Sequence, residues 1–189
     1  PREMDFQGLR VVLDCANGAG YHVFPKVIQE LGAKVWVIGD QPDGTNINLA
    51  CGTVYPEKLQ EAVCEHQADI GIALDVTATG DEIHGRKMAV KLGGGAAIKV
   101  IDTSLIVPKP IVDWMVARAE ADNIDHQLEL LTGGGTDAGA IQSTHSGVPS
   151  GCISIPTRFL HTTSETVDLS DVQACIDLLT GLVSNEIEL

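Results

Sequence analysis

The chain has little positive charge and few aromatic rings. Its 189 residues include 12 Lys and Arg against 26 Asp and Glu, for a formal charge of -14, and 4% of them are aromatic. Binding a phosphate backbone requires clustered Lys and Arg, so nucleic acid and anionic membranes are excluded as partners. No apolar run approaches the roughly 20 residues of a membrane span, and the opening Pro1-Arg2-Glu3-Met4-Asp5 lacks the pattern of a secretory signal. The expectation is a soluble, cytoplasmic protein. Cys15, Cys51, Cys64, Cys152 and Cys175 are odd in number, widely spaced and contain no C-x-x-C pair. That excludes a disulfide framework and a zinc ribbon, and leaves the cysteines as small core hydrophobes.

What is present is a Val, Ile, Leu and Ala core, 44% hydrophobic overall, of the kind that strands covered by helices require. Leu9 to Asp14 reads as a buried strand running into the turn Cys15-Ala16-Asn17-Gly18-Ala19-Gly20, followed by a helix from about Tyr21 to Leu31 that stops at Gly32. Lys34 to Gly39 is a second strand. Pro56 opens a helix with Leu59, Val63 and His66 inward, and Ile70 to Leu74 is a third strand ending on Asp75. Further on, Met88 to Leu92 and Ala97 to Ile101 flank Gly93-Gly94-Gly95. Pro110 opens a helix with Ile111, Met115 and Ala119 on one face, Gln127 to Leu131 is a strand, and Gly133 to Asp137 leads into a short helix. A strand over Gly151 to Pro156 precedes a last helix with Val172, Cys175, Ile176, Leu179 and Val183 inward, capped by Asp168 or Ser170. Ser184 to Leu189 reads as a frayed tail. Alternating strands and helices with short connections predict a three-layer α/β/α sandwich on one mainly parallel sheet, as a single domain over residues 1–189.

Two resemblances meet at Asp75. At DCANGAGYHVFPKVIQELGA, DGTNINLACGTVYPEKLQEAV and HQADIGIALD, residues 5–75 resemble the second domain of phosphoglucosamine mutase, of the phosphohexomutase superfamily. That resemblance implies a D-G-D-x-D-R magnesium loop after the third strand. Asp75 stands at its first aspartate, and Val76-Thr77-Ala78-Thr79-Gly80 replaces the remainder. One carboxylate does not satisfy Mg²⁺, so mutase activity is not expected.

From Asp75 to Val183, the stretches LDVTATGDEIHGRKMAVKLGGGAAIKVIDTSLIVPKPIVDWMVARAE and GGGTDAGAIQSTHSGVPSGCISIPTRFLHTTSETVDL resemble the C-terminal part of the catalytic domain of dinuclear-metal glutamyl and tetrahedral aminopeptidases. The resemblance implies that Asp75, of the D-V-T motif, ligates one metal, and that His161, of I-P-T-R-x-x-H, ligates the other. It places Thr136 and Asp137 at the site rim, although Asp137 suits a helix N-terminus equally well. In that family the other ligands and the general base precede the D-V-T motif, where the mutase-like segment stands here. His22 and His66 lie in mutase-like context and read as surface or capping residues.

A hydrolytic zinc site needs three protein ligands and a water, and a dinuclear one also needs a bridging group. Two inherited ligands predict no native catalysis and no resident cofactor, with at most adventitious Zn²⁺ or Ni²⁺ on Asp75 and His161. Asn17 and Gly18 form a candidate anion-binding turn. Ser154 and Cys152 lie in a strand without a G-x-S-x-G elbow, which argues against a serine or cysteine hydrolase. The whole reads as a recombined or engineered chimera of two half-domains, a monomer or small homo-oligomer, with a residual metallo-aminopeptidase as the alternative.

Overall fold

The computed structural model describes residues 6–52, 54–68, 70–83, 85, 87–144 and 147–185. The strands and helices are β1 (Arg10–Asp14), α1 (Phe24–Glu30), β2 (Lys34–Ile38), α2 (Glu57–Glu65), β3 (Gly71–Ala78), β4 (Ala96–Ile101), α3 (Lys109–Ala121), β5 (His126–Leu130), α4 (Asp137–Gln142), β6 (Ser150–Arg158), β7 (Thr166–Val167) and α5 (Leu169–Val183), with a 3₁₀ turn at Ala19–His22. The expected α/β architecture is present. Its strands are distributed over two sheets, one of two strands in the order β1-β2 and one of five in the order β3-β6-β4-β5 with β7 beside β6. β1 and β2 are parallel, as are β4 and β5, whereas β6 runs antiparallel to β4 and to β7. The chain forms two compact units, residues 1–71 with 140–148, and residues 72–139 with 149–189.

In the first unit the turn after β1 is tied down by one side chain. Asp14 accepts the Ala16 amide at 2.8 Å and the Gly52 amide at 2.7 Å, joining segments 38 residues apart. The helix expected from Tyr21 splits in two, a 3₁₀ turn and then α1 with Pro25 in its first turn, where a missing N–H costs nothing. Gly32 follows α1 at φ +102°, the left-handed stop its position suggests. His66 caps the C-terminus of α2 and stacks on Trp36 of β2, ring centroids 3.9 Å apart, so it is a capping residue as the sequence suggests. His22 is exposed and lies 3.0 Å from the Lys26 ammonium.

The second unit holds most of the buried side chains. Ile98 of β4 and Ile153 of β6 are opposed across their antiparallel pair and are fully buried, and Ile111, Met115 and Ala119 of α3 are buried as their spacing predicts. In α5 the inward face is Asp171, Ala174, Cys175, Leu178, Gly181 and Leu182, while Ile176 is 52% exposed. The face is rotated from the one expected because Asp171 must reach inward: its carboxylate accepts the Gly93 and Gly95 amides, both at 2.7 Å. Gly95 sits at φ +84°, and a Cβ there would lie 2.0 Å from the Asp125 carbonyl oxygen. Residues 88–92 form no strand, since this loop is held by Asp171 and by Gln127, which accepts the Lys91 amide and donates to the Lys91 carbonyl. Asp168 caps α5 by accepting the Ser170 amide and hydroxyl. Ser184 ends that helix and Asn185 donates to the Gly181 carbonyl at 2.6 Å, so these two residues are not frayed; residues 186–189 lie outside the described ones. Cys51, Cys152 and Cys175 are buried and all five cysteines are unpaired.

Candidate functional site

The strand carrying Asp75 does not end there. Val76 and Thr77 prolong β3 to Ala78, because both are β-branched and the buried Thr77 hydroxyl donates to Glu129 at 2.6 Å, which satisfies it. Asp75 therefore lies within the strand, half-buried, with its own Oδ1 accepting the Val76 amide at 2.8 Å. Burial pushes its proton affinity up; the Val76 amide and the Lys99 cation pull it down, Glu129 pushes it up, and His161 pulls it down. Asp75 lies on β3, and His161 follows β6, the strand beside β3 in the sheet.

Beneath Asp75 lies a buried network absent from the sequence-derived site. Lys99 of β4 and Glu129 of β5 are register partners and form an ion pair with neither side chain exposed. The other carboxylate oxygen of Glu129 has no protein partner. From the β4–β6 pairing, in which Ala97 faces Ser154, Lys99 falls opposite Cys152. Burial pushes the Cys152 thiol up to about 12, so it is not a thiolate nucleophile at neutral pH. A lone Lys in the apolar run Ala96 to Ile101 and a lone Glu in Gln127 to Leu130 were the available signals, since strand-interior charges require partners.

His161 is exposed, three residues past β6, in a hairpin loop where Phe159 and His161 adopt φ +56° and +63°. The segment after β3 is fastened to this loop. Arg158 pairs with Asp81, whose carboxyl is held at about 2 mainly by that guanidinium, and Glu82 accepts the Phe159 amide at 2.5 Å. His84 and Arg86, in the aminopeptidase-like stretch, lie outside the described residues.

The remaining candidates, Thr136, Asp137, Asn17 and Gly18, lie in three places. Thr136 is buried: its hydroxyl donates to Asp102 at 3.0 Å, and Asp102 also accepts the Ser104 amide and hydroxyl. Asp137 is the first residue of α4. In the Asn17 turn the amides are already committed: Asn17 donates to the Gly39 carbonyl and Gly18 to that of Cys15, while the Asn17 side chain bridges Asn46, Cys51 and Gln41. An anion would have to displace these bonds.

Asp75 and His161 do not fit a dinuclear metal centre. Among the described residues, no group of three or more His, Cys, Asp and Glu side chains could hold a metal ion, whereas a co-catalytic pair needs several ligands and a bridge.

Comparison with known proteins identifies both parts of the chain. The M42 glutamyl aminopeptidase family matches residues 60–178, more than half the chain and beginning within α2, upstream of the junction expected at Asp75. A phosphoglucosamine mutase of Geotalea uraniireducens is 60% identical over 75 residues, 40% of this chain and 16% of that protein, and the mutase similarity falls over a different part of the chain. A putative aminopeptidase of Acetivibrio thermocellus is 47% identical over 111 residues, 59% of this chain and 34% of that protein. The solved aminopeptidase APDkam598 of Desulfurococcus kamchatkensis superposes with a TM-score of 0.68 at 28% identity, covering 86% of this chain and 45% of that one. The chain therefore spans less than half the length of each of these relatives. It belongs, through residues 60–178, to the M42 glutamyl aminopeptidase family, joined to a segment similar to phosphoglucosamine mutase.

Proposed function

We propose that this chain is a recombined α/β protein without peptidase turnover of its own, retaining a two-ligand cation site at Asp75 and His161. The observation that carries this reading is the placement of the two residues on neighbouring strands of one sheet, Asp75 in β3 and His161 in the loop that follows β6. A half-buried carboxylate and an imidazole can take a borderline divalent cation such as Zn²⁺ or Ni²⁺, with water completing its shell. They supply neither a bridging carboxylate nor a general base for the attacking water, which hydrolysis requires. On the mutase side, Asp75 alone does not make a Mg²⁺ site, and the amides of the Asn17 turn are engaged internally. The chain is proposed to act as a monomer or small homo-oligomer, without a resident cofactor.

The second reading is a residual metal-dependent aminopeptidase that uses the same two ligands. Metal analysis after dialysis, together with hydrolysis of an aminoacyl-p-nitroanilide, separates the two. The first reading expects at most one weakly held metal, lost in His161→Ala, and no hydrolysis. Two stoichiometric metals, with turnover abolished by His161→Ala, would overturn it.

A further inference from the structure

We propose that Glu165 is a positioning residue for His161, an inference that rests on the Asp75–His161 reading. Left-handed backbone is unfavourable for residues with a bulky side chain, yet the loop after β6 uses it at both Phe159 and His161. Each strained residue has its amide captured by a carboxylate. Glu82 Oε1 accepts from Phe159 at 2.5 Å, and Glu165 Oε1 accepts from His161 at 2.6 Å. Such charge-assisted bonds are stronger than neutral ones.

The two carboxylates are anchored separately. Glu82 follows the strand that carries Asp75, and Glu165 adjoins β7, whose Thr166 pairs with Arg158 of β6. Between them the loop is closed by the Thr162 amide and hydroxyl on the Phe159 carbonyl, at 3.1 and 2.6 Å, and by the Ser164 amide on the Thr162 hydroxyl at 3.2 Å. The His161 φ angle and the direction of its N–H jointly fix its Cα–Cβ bond. Glu165 thereby fixes the point from which the imidazole extends and the backbone on which its rotamers depend, and Glu82 ties the same loop to the end of the Asp75 strand.

The test compares Glu165→Ala with Glu165→Gln, whose side-chain oxygen can accept the same bond. Three quantities are measured: Ni²⁺ affinity by calorimetry, His161 ring nitrogen shifts by NMR without metal, and His161 amide exchange. Glu165→Ala is expected to weaken Ni²⁺ binding about 10-fold, the lower end for loss of an outer-shell partner, to move the ring resonances and to speed amide exchange, with Glu165→Gln restoring all three. Faster exchange with unchanged ring shifts would reduce Glu165 to a loop-stabilising role and overturn the proposal. Unchanged exchange would also overturn it. If the unsubstituted protein binds no Ni²⁺, the cation reading fails, while the ring shifts still decide whether Glu165 orients His161.

Discussion

The Lys99 ammonium meets the Glu129 carboxylate where neither side chain has any exposed surface. A buried ion pair is costly to break and cheap to replace, because removing one partner strands the other charge in a medium that cannot solvate it. Lys99→Met is therefore expected to destabilise by about 3–5 kcal/mol, with the double change Lys99→Met/Glu129→Leu recovering most of that loss. Urea denaturation of the two single variants and the double variant checks this. Additive losses would show that the charges are not coupled.

Asp171 is the second buried carboxylate with an assigned task. It satisfies the Gly93 and Gly95 amides from the far side of a loop at positive φ. Asp171→Ala leaves two amides without their acceptor and should cost about 3–5 kcal/mol. Hydrogen exchange should locate the loss at residues 93–95. A change below about 0.5 kcal/mol, the range of ordinary surface substitutions, would contradict this assignment.

The Asp81–Arg158 pair predicts a specific acid dependence. The folded-state value for Asp81 is depressed from 3.8 to about 2. Its stabilisation is present above the unfolded value and disappears as pH falls from about 4 to about 2. Because both side chains are about a third exposed, solvent limits the effect to no more than about 1 kcal/mol. Asp81→Asn should remove that part of the acid slope, costing up to about 1 kcal/mol at pH 7 and changing little near pH 2, as read from thermal melts across the range.

Asp75 has the opposite sign. Burial raises its folded-state value, so the ionised form is disfavoured by the fold, and the associated stability is lost as pH rises above 3.8 towards the raised value. Asp75→Asn should accordingly raise the melting temperature at pH 7, the behaviour of a side chain kept at a cost to stability. A lower melting temperature would mean that the ionised carboxylate contributes to the fold in a way that its surroundings do not account for.

Elements whose signal is local were legible in the sequence. The Val-rich β1, the α3 face of Ile111, Met115 and Ala119, and the Asp168 cap follow from spacing and capping chemistry alone. Asp75 and His161 were legible only through family resemblance, and the adjacency of β3 and β6, the strands that carry or precede them, is a tertiary fact. What was illegible depended on a partner distant in sequence. The end of β3 moved because Thr77 finds Glu129, 52 residues away. The α5 face turned because Asp171 finds Gly93 and Gly95. Thr136 became buried because Asp102 receives its hydroxyl. Each is a polar side chain whose burial depends on a bond that periodicity cannot indicate.

The position of β6 also constrains the order in which the protein can be made. β6 lies between β3 and β4, so β3 has no strand partner in its own sheet until residues 150–158 have been synthesised. On the ribosome the strand carrying Asp75 must wait for more than 70 further residues with its backbone edges unpaired, exposed to association with neighbouring nascent chains. Chains that stop before Ser150 would hold Asp75 but have no β6 with which to close its sheet, and should be recovered as aggregates or degradation products.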